Sequence, residues 1–446
     1  MSLPPLAVVA GGVILLLILI LKFRVHAVLA LLTVSLGVGL VSDLAPPEVI
    51  RSVTDGMGGT LGFIAVVVGV GAMFAAILET GGGVEAIARG LLKGFGEKRS
   101  GMALGFIGLV ISIPVFFDVA LIILIPLVFG LARKTGRTVL AFGIPLLAGL
   151  VAGHAMIPPT PGPLAVAQLL GADIGWVILF GLIAGAAAVM IGGVLFAAVG
   201  ERMGLFRDTG AIPPPDLDQA EAAPVPRVGA TTALLVLMTP LLLILVGTTS
   251  AAVAPEGAWR DALGFIGHPF TALLASCALA WAVFSGKVDH ERLRDAMGRS
   301  LEPAGVIILV TGAGGAFKQI LMDTGAGQAL AEAAAAAGLA PVVAGFVLAG
   351  LVRVAQGSAT VAMITAAGLV APIAIAGGLD AVQLAMVTIS IASGASILSH
   401  VNDSGFWLVS RYFNLTEAQT LRSWTITSTL VGLTGFVVAC ALYPLV

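Results

Sequence analysis

The chain has 446 residues, 59% hydrophobic and only 10% charged, with 58 glycines and a formal net charge of −2. A soluble domain carries about 25% charged residues, so this composition excludes an ordinary soluble globule. Without a basic block or stripe, it also gives no handle for nucleic acid.

Apolar runs of about 20 residues, each able to cross about 30 Å of hydrocarbon, recur from one end to the other. The chain therefore reads as an all-α polytopic membrane protein. Residues 6–21 form the first run. Lys22 and Arg24 follow it, whereas a cleavable signal peptide carries its basic residues in front, so the run is read as a transmembrane helix. Spans are expected at about 26–45 and 58–79. The stretch 101–132 lies between two basic clusters, Arg89, Lys93, Lys98 and Arg99 on one side and Arg133, Lys134 and Arg137 on the other. A single helix would put those clusters on opposite sides of the membrane. A re-entrant hairpin turning at Pro114 and the phrase PVFFD keeps both in the cytoplasm, where Lys and Arg accumulate.

A broken helix is expected over 138–172, interrupted at GHAMIPPTPGP, and a span over 175–199. Residues 200–228, rich in Pro, Asp and Ala, read as a flexible cytoplasmic linker. Spans then follow at 230–249, 267–285 and 304–322. A second hairpin is expected at 340–376, broken at RVAQGSAT, then a helix over 381–415 broken at SHVNDSG, and a last span over 424–445. This topology puts 18 of the 22 Lys and Arg inside, two outside (Arg51 and Arg260) and two within membrane segments (Lys318 and Arg353). Both termini are then periplasmic.

The expected architecture is about 10 spans plus two hairpins, in two repeats of opposite orientation, 1–199 and 229–446. GAMFAAILETGGGVEAIA at 71–88 resembles GGAFKQILMDTGAGQALA at 314–331, which supports the pairing. Inverted repeats with discontinuous helices are the architecture of secondary transporters, whose sites lie at the helix breaks near the midplane. Backbone groups freed at a break cannot face lipid, so broken segments line protein or water. Helix N-termini there offer free N–H groups and partial positive charge to an anion.

The candidate site residues come from the four breaks. Phe117 and Asp118 lie in the first, and Asp118 reads as a helix cap, a proton carrier or both. His154, Pro159, Thr160 and Gly162 lie in the second, the prolines holding the chain extended and Gly162 allowing close approach. Arg353, Gln356, Gly357, Ser358 and Thr360 lie in the third. Arg353 reads either as the fixed positive charge facing a substrate carboxylate or as an ion-pair partner of Asp118 or Asp403. Ser358 and Thr360 read as caps whose hydroxyls also reach substrate. His400, Asn402, Asp403 and Ser404 lie in the fourth. Ionisable groups at membrane depth are expensive and are functional candidates by default. Asp118, His154, His400 and Asp403 are thus the candidates for proton coupling, and Lys318 is read as snorkelling to an interface. Cys277 and Cys440 form neither a disulfide framework nor a metal spacing. No nucleotide-binding loop is present, and the only conceivable nucleophile pair, Ser358 with His400, has no enzyme motif around it. An enzyme is not expected, nor any cofactor or metal.

These residues also carry a resemblance. GMGGTLGF at 56–63, FFD at 116–118, GHAMIPPTPGP at 153–163, RVAQGSATVAM at 353–363 and SHVNDSGFW at 399–407 together resemble the gluconate permease family over nearly the whole chain. The resemblance implies a proton-coupled importer of gluconate or a related sugar acid in a bacterial inner membrane. It further implies two scaffold-plus-transport repeats, a homodimer, and a transport part that moves as an elevator. One position departs from the pattern: many members carry histidine where this chain has Thr160. The family also takes D-serine, fructuronate or short hydroxy acids, and carbonyl and Asn/Ser oxygens at the breaks suit sodium as well as protons, so substrate and coupling ion stay open at this level.

Overall fold

The computed structural model describes residues 4–42, 44–95, 99–206 and 228–445, so most of the expected linker, with Arg207 and Arg227, lies outside the described residues, as does Lys98. Among the described residues every regular element is a helix.

In the first half these are α1 (Pro5–Leu17, continued by a π-helical stretch to Lys22), α2 (Ala27–Val41), α3 (Pro46–Thr80), α4 (Gly83–Phe95), α5 (Ser100–Ile111), α6 (Phe117–Thr135), α7 (Leu140–Met156), α8 (Pro161–Leu170), α9 (Ile174–Ala188) and, after a π-helical Val189–Leu195, α10 (Phe196–Arg202). The second half has α11 (Ala230–Val253), α12 (Ala258–Gly267), α13 (Pro269–Phe284), α14 (His290–Asp323), α15 (Ala326–Ala336), α16 (Pro341–Gln356), α17 (Ala359–Ala376), α18 (Ala381–Gly394), α19 (Ser404–Tyr412), α20 (Glu417–Thr420) and, after a π-helical Leu421–Thr425, α21 (Ile426–Leu442). Among the described residues seven helical stretches are long and apolar enough to cross a membrane, eight if α12 and α13, bent by 61°, count as one; α1, α2, α5, α16 and α18 are shorter apolar helices.

The four expected breaks are present, at 112–116, 157–160, 357–358 and 395–403. Proline supplies the second, where Pro161 and Pro163 start α8 and lack the N–H a continuing helix needs. Glycine supplies the third. Gly357 has φ +87°, and a Cβ there would stand 2.2 Å from the Asn402 carbonyl oxygen, so both its backbone conformation and the close approach of the fourth break require glycine.

Three expectations are corrected. The spans placed at 58–79 and 304–322 are the later parts of helices of 35 and 34 residues. Arg51 lies on the part of α3 ahead of the expected span and pairs with Asp55 at 3.5 Å. Both extensions are polar on the outside, and that polarity concealed them. The loops after both long helices hold further helices, α4 and α15. Lys318 does not snorkel: its Nζ donates to the Leu169 carbonyl at the end of α8, 2.6 Å away, where a cation suits the helix C-terminus.

The long helices α3 and α14 form the most extensive pair and touch through small residues. A Cβ at Gly56 would meet the Gly315 carbonyl at 2.7 Å, and Thr60 packs over Gly315. Small residues let membrane helices approach closely where no hydrophobic effect drives them together. The same device seats α5 on α7, where a Cβ at Gly149 would be 1.9 Å from the Gly105 carbonyl oxygen, and α16 on α18, where one at Gly394 would be 2.2 Å from that of Phe346. Contacts recur with the halves exchanged: α2 packs on α14 and α13 on α3, α1 on α15 and α11 on α4, α8 on α17 and α19 on α6.

Candidate substrate site

Three of the breaks open on one cavity of about 600 Å³. Three helix N-termini meet there. Helix α6 contributes Phe116, Phe117 and Asp118, α17 contributes Ser358, Ala359 and Thr360, and α19 contributes Asp403, Ser404 and Gly405. The ends of α7 (Val151, His154, Ala155) and α16 (Arg353, Gln356, Gly357) complete the wall with Asn402, Leu408 and Trp424. The first N–H groups of a helix have no partner within it, so three converging N-termini make a field suited to a carboxylate.

The caps differ. Ser358 accepts from Val361 N at 3.4 Å and Asp403 from Gly405 N at 3.0 Å, as N-caps of α17 and α19. The capping reading of Asp118 is not met, because Phe116 occupies the N-cap of α6 and no side chain caps it. Asp118 instead lies in the first turn with its residue surface exposed toward the cavity. Thr360 is the second residue of α17 rather than a cap.

Arg353 and Asp403 form a buried ion pair, 5% and 8% exposed. The second Arg353 nitrogen, Nη1, donates to the Gly357 carbonyl, which fastens the end of α16 to the third break. Of the two roles open to Arg353, the ion pair with Asp403 is the one formed. Asp403 also accepts from the Ser399 hydroxyl, and Trp424 Nε1 donates to that same hydroxyl oxygen at 2.6 Å. The Val354 carbonyl accepts from His400 Nε2 at 2.8 Å and Asn402 Nδ2 at 2.9 Å, tying the third break to the fourth.

Three residues of the cavity lining each have a buried polar atom without a hydrogen-bond partner: His154 Nδ1, Gln356 Oε1 and Arg353 Nε. A buried polar atom left unpaired costs about 1–3 kcal/mol, so these atoms favour a polar ligand. Phe116 tilts over the His154 ring at 6.0 Å, and Phe117 over Trp424 at 5.4 Å.

Of the residues singled out in the sequence, Phe117, Asp118, His154, Arg353, Gln356, Gly357, Ser358, Thr360, Asn402, Asp403 and Ser404 line this cavity. Pro159, Thr160, Gly162 and His400 do not. Thr160 is 2% exposed and its hydroxyl donates to the Ile157 carbonyl at 2.6 Å. Gly162 faces Met363 of α17, and the Pro159 carbonyl lies near Gly71 of α3, so the second break is packed between other helices. Phe116, Val151, Ala155, Ala359, Gly405, Leu408 and Trp424 line the cavity unforeseen. Residue spacing was a usable signal for most of them: Val151 lies one turn before His154, and Leu408 one turn after Ser404. Trp424, in the short polar phrase LRSWT, carried no such signal.

Helices long enough to cross a membrane, broken in pairs around a cavity with charged and polar side chains in its wall, have the architecture of a multi-pass membrane transporter. Two solved transporters share the fold: the Alcanivorax borkumensis YdaH transporter (TM-score 0.66, 16% identity, covering 94% of this chain and 97% of that one) and Neisseria gonorrhoeae MtrF (TM-score 0.64, 16% identity, 98% and 95%). Residues 4–446 match the model of the GntP family permeases, and the chain belongs to that family. It is 42% identical over 442 residues to the low-affinity gluconate transporter of Escherichia coli (strain K12), covering 98% of this chain and 97% of the relative. It is 37% identical to the gluconate permease of Pseudomonas aeruginosa (95% and 94%) and 34% identical to the Gnt-II system L-idonate transporter of Escherichia coli (97% of each). The chain is a gluconate-type transporter and not an enzyme.

Proposed function

We propose that this protein imports gluconate, or a closely related sugar acid, by proton symport across a bacterial inner membrane. The observation that carries the reading is the convergence of three helix N-termini on a cavity lined by His154, Gln356 and Arg353, each of which keeps a buried polar atom without a hydrogen-bond partner. The carboxylate docks on the N-termini of α6, α17 and α19. The substrate hydroxyls meet Gln356, Ser358, Thr360, Asn402 and Ser404. Because Asp403 already neutralises Arg353, the helix ends and not a free guanidinium supply the attraction.

The coupling proton resides on the pair formed by Asp118 and His154. Both line the cavity, Asp118 at the N-terminus of α6 and His154 in the last turn of α7. Asp403 is committed as acceptor to Ser399, Arg353 and Gly405 N, and His400 is turned toward Val354, which makes them poorer carriers. A proton and a carboxylate bound together cancel. The loaded site then crosses the membrane interior at lower desolvation cost than the half-loaded one.

The exchanged contacts between halves support two inverted repeats, with α3 and α14 as the fixed arms and the broken helices as the moving elevator. Both termini then lie in the periplasm and the protein works as a homodimer in the lipid bilayer. The deciding experiment is uptake of labelled gluconate into proteoliposomes under a proton gradient, a sodium gradient or neither. Accumulation under the proton gradient alone, lost in Asp118→Asn, is the expected result. Accumulation under sodium alone, or equilibration without accumulation, refutes proton symport. Competition by L-idonate, D-serine or fructuronate in the same vesicles ranks the substrates.

A further inference from the structure

One wall residue with no assigned role is Trp424, in the π-helical turn between α20 and α21. It is 2% exposed, so most of the indole is packed, with Phe117 at 5.4 Å. Its Nε1–H donates to Ser399 Oγ at 2.6 Å. A hydroxyl that accepts on its oxygen still has one proton to give, and that proton goes to Asp403. Ser399 is itself fixed from the same helical segment, since Thr425 Oγ1 donates to the Ser399 carbonyl at 2.5 Å and Ser399 N donates to Ser428 Oγ at 3.3 Å.

We propose that Trp424 is a positioning residue for substrate binding, acting through Ser399 on the Asp403–Arg353 pair. The inference rests on the transport reading above. The relay fixes the Ser399 hydroxyl so that it can only donate toward Asp403. Asp403 in turn aims Arg353, a residue of the cavity lining, whose Nη1 holds Gly357 at the tip of the third break. One indole N–H thereby sets the relative placement of two N-termini, those of α17 and α19, on which the carboxylate docks. Removal of the N–H leaves the Ser399 hydroxyl free to rotate away, and the two N-termini lose their common register. The aromatic ring serves separately, as the wall against Phe117.

The test compares wild type, Trp424→Phe, Ser399→Ala and the double variant, each purified whole and reconstituted. Trp424→Phe keeps an aromatic ring against Phe117, smaller than the indole, and loses the donor, whereas Ser399→Ala cuts the relay with the indole left in place. Initial rates of labelled gluconate uptake should show KM raised about tenfold in each single variant, the size of one lost hydrogen bond in a charged chain, with Vmax within about twofold. The double variant should be no worse than Ser399→Ala, because both changes cut the same relay. In the unliganded protein the Trp424 indole N–H, assigned in a 15N spectrum by its absence from Trp424→Phe, should exchange slowly with solvent and become fast in Ser399→Ala. An unchanged KM, multiplied effects in the double variant, or a fall in Vmax with KM untouched overturns the proposal. If wild type takes up no gluconate, the transport reading fails by itself; the exchange measurement still decides the relay, and slow exchange retained in Ser399→Ala refutes it.

Discussion

Arg353→Met removes the cation from a carboxylate that cannot reach bulk water, since Asp403 is 8% exposed and one of its oxygens faces the guanidinium. Removing one member of a buried pair costs about 3–5 kcal/mol, because the partner charge stays behind without compensation. Gly357 also loses the donor on its carbonyl, which places the expected loss toward the upper part of that range. Neutralising both members removes the stranded charge. Arg353→Met with Asp403→Asn should therefore recover to within about 1 kcal/mol of wild type, since Asn still caps α19. The assay is unfolding of the purified protein in dodecylmaltoside by titration with sodium dodecyl sulfate, followed by far-ultraviolet circular dichroism. A loss below about 1 kcal/mol in Arg353→Met, or a double variant no more stable than the single, would refute the reasoning. Uptake should stay impaired in the double variant although its stability returns, because α17 and α19 are no longer held together.

Gly149→Ala should cost about 3 kcal/mol and most of the folded yield, for its Cβ would sit 1.9 Å from the Gly105 carbonyl oxygen and neither backbone can yield. Gly130→Ala, in α6 with nothing within 4 Å, should instead stabilise by about 0.5 kcal/mol, and the two are compared by yield of monodisperse protein on size-exclusion chromatography. Arg137→Ala should lower stability by about 1 kcal/mol: it loses two hydrogen bonds to Glu201, at 2.5 and 3.1 Å, and its place over the Phe142 ring. The loss should shrink in high salt, and a loss indifferent to salt would count against the ion pair. Thr160→Ser should leave KM for gluconate within about twofold of wild type, since that side chain points to Ile157 and not into the cavity; a tenfold change would move Thr160 into the site.

The breaks were legible because proline and glycine announce them chemically. Four prolines between 158 and 163 cannot form a helix interior, and RVAQGSAT and SHVNDSG interrupt apolar runs with polar residues that lipid would not tolerate. Eleven of the singled-out residues meet at the cavity for that reason. What a break does not reveal is the direction its side chains take. His154 and His400 looked like a pair across the halves, yet His154 lies in the last turn of α7 facing the cavity, while His400 lies within a loop and bonds to Val354. The second break was expected to line the site, but α3 and α17 cover it instead. Helices α4 and α15, of 13 and 11 residues, escaped notice because each is shorter than the run of about 20 apolar residues that marks a span. Trp424 resembles an interfacial aromatic in sequence, and only its packing beneath the fourth break gives it a partner.

Arg353 and Asp403 lie 50 positions apart, which has a bearing on how the chain is made. At about 5–20 residues per second, the ribosome finishes the arginine several seconds before the aspartate that neutralises it. Over that interval a guanidinium in the last turn of an apolar helix would carry an insertion cost of up to about 2.5–3.5 kcal/mol, the value at the bilayer centre. The segment Pro341–Gln356 is thus poorly suited to lodge in lipid by itself, and settles only once the later loop arrives with its counter-charge. Late arrival of one carboxylate would then govern when the second half of the transporter closes into shape.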